Sequence, residues 1–372
     1  MIELENVTKI YPGQTEPAVT DLSFVVPDGE ICVLVGPSGC GKTTTMKMVN
    51  RLIEPTEGNI LVEGQDVLQM DSIQLRRSIG YVIQEIGLFP HMTIAANIST
   101  VPKLLEWDEA RISRRVDELL EMMDMEPYEY RDRYPRELSG GQRQRIGVAR
   151  AMAADPHVML MDEPFGAIDP ITRDRLQNEF LRLQQKIRKT IIFVTHDIDE
   201  AIKMGDKIAI LDVGGVMAQY GPPSEILSHP VSRFVEDFVG ADRALKWLNL
   251  VRVDEVMDEH PPLATDTQDV KEAENLMQDK SVDFLYVVGA DRTLKGYINL
   301  SDIKGKKDWV DKYILPAAVS ILQGTTLRDA LSEMLASDYQ SACVVDEDQR
   351  VYGLVDLNMI QEAIQERKGK VA

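Results

Sequence analysis

Gly36-Pro37-Ser38-Gly39-Cys40-Gly41-Lys42-Thr43-Thr44 sets glycines, one lysine and hydroxyls at the spacing G-x-x-x-x-G-K-[ST]. Backbone N–H groups of such a turn, with the positive end of a following helix, surround an anion, and glycines admit phosphate oxygens that a Cβ would block. Lys42 supplies a point charge for terminal phosphates, and Thr43 a hydroxyl for Mg²⁺. About 120 residues further on, Val158-Met159-Leu160-Met161 is an apolar run ending in Asp162-Glu163. Asp162 is placed to hold a Mg²⁺ shell and Glu163 to orient or deprotonate an attacking water. An Asp-Glu strand end means little alone; after a phosphate loop it completes the chemistry of triphosphate hydrolysis.

These side chains need a sheet to present them. Apolar runs at Ile31–Val35, 79–83, 158–161, 191–194 and 208–211 alternate with helix-compatible stretches, including 45–52 after the phosphate loop. Short apolar strands separated by helices predict an α/β fold with a mainly parallel, doubly covered sheet. Residues 4–9 and 22–26 flank a Pro/Gly turn and read as an antiparallel β piece beside it. Between residues 90 and 138 the strand signal stops. Apolar residues in 108–123 repeat at helical spacing, so this stretch reads as a helical insertion.

Leu138-Ser139-Gly140-Gly141-Gln142-Arg143-Gln144-Arg145 opens a helix-compatible run over 142–154, a second anion-binding helix start. Here the sequence resembles the nucleotide-binding subunits of ABC transporters, whose signature motif reads this way. The resemblance implies that Ser139, Gly140, Gly141 and Gln142 of one subunit close over ATP held by residues 36–44 of another, making a head-to-tail homodimer. It also implies that Tyr11 stacks on adenine, and that Gln84 senses Mg²⁺ and the attacking water. Asp169, in Ala167-Ile168-Asp169, stands in the D-loop, and His196 contacts the γ-phosphate. Each is ordinary alone; seven features in the family's order are not. The likeness covers residues 1 to about 240.

From about residue 253 an ungapped repeat recurs at an offset of 57 residues: Ala273 with Ala330, Met277 with Met334, Val287-Val288 with Val344-Val345, Gly296 with Gly353 and Ile303 with Ile360. Two β-α-β-β-α units, each too small to be stable alone, explain it. The expected organisation is an ATPase domain over 1–240, a linker over 241–252, and repeats over 253–310 and 311–372. The repeats resemble a tandem CBS pair, an α+β regulatory module. Together with 44–55 and 84–93, they make the chain similar to ATPase subunits of osmoprotectant importers, the glycine betaine, carnitine and choline group. In nucleotide-binding repeats a hydroxyl and a carboxylate hold phosphate and ribose. Here Asn299 replaces the hydroxyl before Asp302, while the second copy has Asp356 but Met359 in place of the final carboxylate. These departures argue against ordinary mononucleotide recognition; the resemblance implies cyclic di-AMP as the ligand, with response to ionic strength or a purely structural role as alternatives.

The chain has 372 residues, 44% of them hydrophobic and 27% charged, which suits a soluble multidomain protein. A formal charge of -20 argues against nucleic acid as a partner. No apolar run approaches the roughly eighteen residues of a membrane span, so the resemblance implies a peripheral subunit on the cytoplasmic face of the membrane, bound to a separate permease and served by an extracellular substrate-binding protein. Cys32, Cys40 and Cys343 have no metal-ligand spacing. Three rival readings are an importer of another small solute, a soluble ABC ATPase of DNA repair or translation, and a catalytically silent sensor. Only about a hundred residues separate Gly41 from Ser139, against the long coiled coils of repair members, and Glu163 and His196 are both present.

Overall fold

The structure is a computed structural model that describes residues 1–83, 87–166, 168–316, 319–337 and 339–369. The chain divides into two compact units, Met1–Gly240 and Ala241–Ala372.

In the first unit the strands are β1 (Ile2–Lys9), β2 (Val19–Val26), β3 (Ile31–Val35), β4 (Glu57–Val62), β5 (Gln65–Asp66), β6 (Ile79–Val82), β7 (Val158–Asp162), β8 (Thr190–Val194), β9 (Lys207–Asp212) and β10 (Val216–Gly221). They form a six-stranded sheet ordered β10-β9-β3-β8-β7-β6 and a four-stranded sheet ordered β2-β1-β4-β5. Every residue of β3, β7 and β8 is buried, as continuous apolar strands covered on both faces must be. These strands run parallel, in a register that sets Leu34 beside Val194 and Val194 beside Asp162. Their C-terminal ends therefore open level with one another. β4, β5 and β10 carry no clear apolar run; Glu57–Val62 begins Glu-Gly-Asn and is held by pairing to β1 rather than by its own pattern. One core, including Leu4, Leu22 and Phe24 of the antiparallel piece and Leu34, Leu160 and Ile192 of the main sheet, joins the two sheets.

The insertion contains the helices Ile94–Ile98, Thr100–Leu104, Glu109–Met122 and Pro127–Tyr130. Asp108 starts the longest of them, accepting from Arg111 N–H at 2.8 Å, and Ile112, Val116, Leu119 and Leu120 form its buried stripe.

The second unit contains β11 (Leu263–Thr265), β12 (Phe284–Val288), β13 (Leu294–Asn299), β14 (Ser320–Leu322), β15 (Ser341–Val345) and β16 (Val351–Asp356), so each strand of the second sheet starts 57 residues after its counterpart. In each sheet the first strand is parallel and the last antiparallel to the middle one. The expected linker over 241–252 is instead partly helical, Arg243–Trp247, and Leu248 after it is fully buried. The two repeats also exchange lead-in segments. Leu248 and Val253 pack with Val319, Ile321 and Leu327, whereas Val310 packs with Ala264, Val270 and Leu285. Apolar residues that precede one repeat thus finish the core of the other. A further cluster, with Tyr286, Val288, Cys343 and Val345, joins the sheets.

Candidate functional site

The phosphate loop leaves β3 at Val35 and enters the helix Lys42–Val49, which begins three residues before the expected 45–52. Gly36 and Gly41 have φ of 155° and 100°; a Cβ at the first would collide with Leu211 O and at the second with Ala18 O. At Gly39 (φ 81°) no protein atom stands within 4 Å of such a Cβ. Lys42, 7% exposed, donates from Nζ to Gly36 O at 2.7 Å and Pro37 O at 3.0 Å. Ser38 and Gly39 are exposed at the tip, and Cys40 is buried behind them. Tyr11 lies against the start of the helix, its hydroxyl 3.3 Å from Thr44 Oγ1.

Thr43 Oγ1 donates to Asp162 Oδ1 at 3.2 Å, although the residues are 119 apart in sequence. Asp162 is buried at the end of β7, and burial pushes its carboxyl above the usual carboxylate range; the Thr43 hydroxyl opposes this and Glu163 adds to it. Two hard oxygen ligands side by side, one a desolvated carboxylate, suit Mg²⁺. Glu163 follows with φ 44°, a left-handed conformation that side chains other than glycine seldom adopt. Its N–H donates to Val194 O at 2.9 Å, and its Oε1 stands 3.2 Å from Nδ1 of the exposed His196. The sheet thus brings Thr43, Asp162, Glu163 and His196 together from three strands.

The signature stretch stands elsewhere in the unit. Ser139 caps the helix Gly140–Met152, which starts two residues before the expected 142–154. It accepts from Gln142 N–H at 3.3 Å, and Gln142 Oε1 accepts from Ser139 N–H at 2.9 Å. This reciprocal box leaves Ser139 and Gly140 exposed at a helix N-terminus. Among the described residues no hydrogen bond joins 139–142 to 36–44. Asp169 caps the helix Pro170–Ile187, and the Thr172 N–H it accepts holds its carboxyl below the usual range. Gln84 and Ala167 lie outside the described residues. A cleft of about 710 Å³ between the helices Glu109–Met122, Gly140–Met152 and Pro170–Ile187 contains no phosphate-loop residue and is not the nucleotide site.

In the second unit Asn299 Nδ2 donates to Asp302 Oδ2 at 3.1 Å, and Asp356 Oδ1 accepts from Met359 N–H at 2.8 Å. Sequence reasoning missed Thr195, Glu200, Gln177 and Arg173, buried or half-buried polar residues behind His196 and Asp169; the signal available was the carboxylate four positions after His196.

A phosphate loop, a strand-end Asp-Glu pair and a histidine on adjacent parallel strands define a nucleotide-hydrolysing cassette. The ABC transporter family matches residues 19–166, and the CBS domain family matches 253–306 and 310–366. The choline transport ATP-binding protein OpuBA of Bacillus subtilis is 50% identical over 360 residues, covering 95% of this chain and 94% of that protein. The osmoprotectant import ATP-binding protein OsmV of Salmonella typhimurium is 45% identical over 366 residues, covering 97% and 96%. Among solved structures, the dimeric structure of the ABC transporter cassette MJ0796 is 32% identical with a TM-score of 0.54, covering 60% of this chain and 99% of that one. The chain belongs to the ATP-binding subunits of ABC transporters, with tandem CBS domains at its C-terminal side, and is an ATPase coupled to transport. No helix among the described residues is long and apolar enough to cross a membrane.

Proposed function

We infer that this chain energises import of small quaternary-amine osmoprotectants of the glycine betaine, carnitine and choline class. Similarity over nearly the whole chain to proteins named for choline, carnitine and osmoprotectant transport supports the solute class. The convergence of Thr43 with Asp162 and of Glu163 with His196 carries the catalytic reading.

Backbone N–H groups of 36–41 and the helix start cradle the phosphates, Lys42 neutralises their terminal charge, and Tyr11 stacks on adenine. Thr43, Asp162 and Gln84 would hold Mg²⁺, which would supply positive charge to offset that of the phosphates. Glu163 aligns and deprotonates the attacking water. His196, within hydrogen-bond distance of that carboxylate, fixes its direction and faces the γ-phosphate. Ser139 to Gln142 of a second copy close over the same nucleotide, with Asp169 at the seam between copies. ATP binding shifts the population toward the closed homodimer, which drives a separate permease, and hydrolysis releases it. The ATPase sits on the cytoplasmic face of the membrane, and an extracellular binding protein delivers the solute. The CBS unit adjusts the cycle in response to cyclic di-AMP or ionic strength, with Asn299, Asp302 and Asp356 at the candidate ligand positions.

Glu163→Gln tests this. Loss of the base lowers hydrolysis by roughly a hundred- to ten-thousandfold, while ATP still binds and gel filtration shows an ATP-dependent dimer. Turnover at wild-type speed removes the role of Glu163; a strictly monomeric, fully active protein removes the shared nucleotide. Calorimetry of the full chain with cyclic di-AMP tests the regulatory ligand, and the absence of heat at two temperatures rejects it.

A further inference from the structure

The loops bearing His196 and Asp169 follow neighbouring strands, and a buried polar circuit that the roles above leave unused lies between them. Glu200, on the helix Ile198–Met204, is 8% exposed. Its Oε1 accepts from Gln177 Nε2 at 2.9 Å, and the nearby Thr195 hydroxyl favours its ionised form. Thr195 is buried next to His196. Its N–H donates to Leu34 O at 3.1 Å, and its Oγ1 accepts from Asp197 N–H at 3.1 Å. Gln177 is buried on the helix that Asp169 caps. One turn earlier on that helix, Arg173 Nη2 donates to Ile168 O at 2.9 Å, and its charge acts on Glu200. Arg173 Nε is buried without a hydrogen-bond partner.

We propose that Glu200 is a positioning residue for ATP hydrolysis, tying the His196 loop through Thr195 to the Asp169 loop through Gln177 and Arg173, so that the two loops are held in a fixed relation. The proposal rests on the roles given above to His196 and Asp169. A structural filler does not account for a carboxylate here. Burial pushes the Glu200 carboxyl above its usual range, Asp197 adds to this, and Thr195, Gln177 and Arg173 only oppose it. An apolar side chain of similar size would fill the space without that penalty. What the carboxylate supplies instead is direction: an acceptor for Gln177 on the helix that Asp169 caps, and a negative charge beside Thr195 of the His196 loop.

Glu200→Gln keeps the shape and can keep the Gln177 contact through its Oε1, but it removes the charge and turns an NH₂ group in place of an acceptor oxygen toward Thr195. Displacement of a catalytic group by a fraction of an ångström lowers kcat of the full-length protein by about tenfold or more, with KM for ATP changed by less than about twofold. The melting temperature at pH 7 does not fall, because a desolvated charge has been removed. In single-turnover measurements in the His196→Ala background, Glu200→Gln has less than about a twofold further effect, since it acts through that loop. Gln177→Met, which alters neither loop, gives a smaller loss of kcat and keeps the test open should Glu200→Gln fail to fold. Wild-type kcat in both variants, or an undiminished Glu200→Gln effect without His196, overturns the positioning role. A fully active His196→Ala removes the role of the switch histidine and this proposal with it. A crippled His196→Ala beside a full-speed Glu200→Gln removes only the role of Glu200.

Discussion

Both units end strands in polar residues, but they use them in opposite ways. In the ATPase unit Asp162 is desolvated and Glu163 takes a left-handed backbone, both of which cost stability. In the CBS unit the corresponding residues are engaged by close sequence neighbours: Asn299 with Asp302, and Asp356 with the Met359 N–H. The contrast sets a desolvated, strained pair at one strand end of the first unit against locally bonded polar groups in the second.

The contrast breaks most sharply at Lys42. Removing its charge in Lys42→Ala weakens ATP binding by about a hundredfold or more, judged from the worth of charge-assisted phosphate contacts, and hydrolysis falls to background. Unfolding of the second unit is unchanged in calorimetry. Retained nucleotide affinity would detach the loop from the triphosphate.

A matched pair of glycines sharpens the comparison next. Gly36, at φ 155°, and Gly296, at φ 149°, each leave so little room that a Cβ would strike a backbone carbonyl, Leu211 O in one case and Leu315 O in the other. Alanine at either forces the backbone to shift, at about 1–3 kcal/mol. Gly36→Ala also loses nucleotide binding, because the loop that moves is the cradle. Gly296→Ala lowers the melting temperature of the second unit and leaves basal hydrolysis within about twofold. A Gly296→Ala chain that loses ATPase activity would make the CBS unit part of the catalytic machinery.

Legibility in the sequence follows the same division. β3, β7 and β8 are continuous apolar runs because both faces are covered, so they and the loops behind them could be read directly, as could the repeat, whose offset of 57 recurs in every strand start. β4, β5 and β10 were not legible, since pairing to neighbours rather than local pattern makes them strands. Helix starts were read too late at both Gly-rich loops, because the sequence shows the glycines but not that Lys42 and Gly140 already belong to the first turn. Thr43, Asp162, Glu163 and His196, which the structure brings together, could be picked out because phosphate chemistry imposes local spacing. The circuit around Glu200 could not, since Gln177 and Glu200 meet only after two helices pack. The exchange of lead-in segments between repeats was hidden for the same reason: an apolar residue such as Val253 does not state which core it will enter.

Asp162 gives a smaller effect with an informative sign. Its folded-state proton affinity is raised above that of an ordinary Asp, so the folded state binds more protons than the unfolded chain between the usual value of 3.8 and the raised one. Stability therefore falls as pH rises through that window, and the ionised group remains a burden at neutral pH. Asp162→Asn should melt higher than the parent at pH 7 without nucleotide, and the difference should shrink toward pH 4, while Mg²⁺-dependent hydrolysis is lost. A lower melting temperature at pH 7 would mean that the Thr43 contact outweighs desolvation, and Asp162 would then resemble the self-satisfied carboxylates of the second unit.

The smallest effect is expected where the CBS sheets meet. Tyr286, 3% exposed on β12, donates its hydroxyl to Ser341 O on β15 at 2.9 Å, and burial pushes its pKa up to about 12. Tyr286→Phe keeps the ring in the shared apolar cluster and deletes one buried hydrogen bond, a loss of about 1 kcal/mol. Because the bond joins the two repeats rather than stabilising either alone, its loss should lower the melting of the second unit by a few degrees without splitting it into two transitions, since the exchanged lead-in segments still lock each repeat into the other's core. ATP hydrolysis should not change. Two separate transitions in Tyr286→Phe would show that one hydroxyl, rather than the crossed segments, couples the repeats, and the second unit would then be as dependent on single polar contacts as the first.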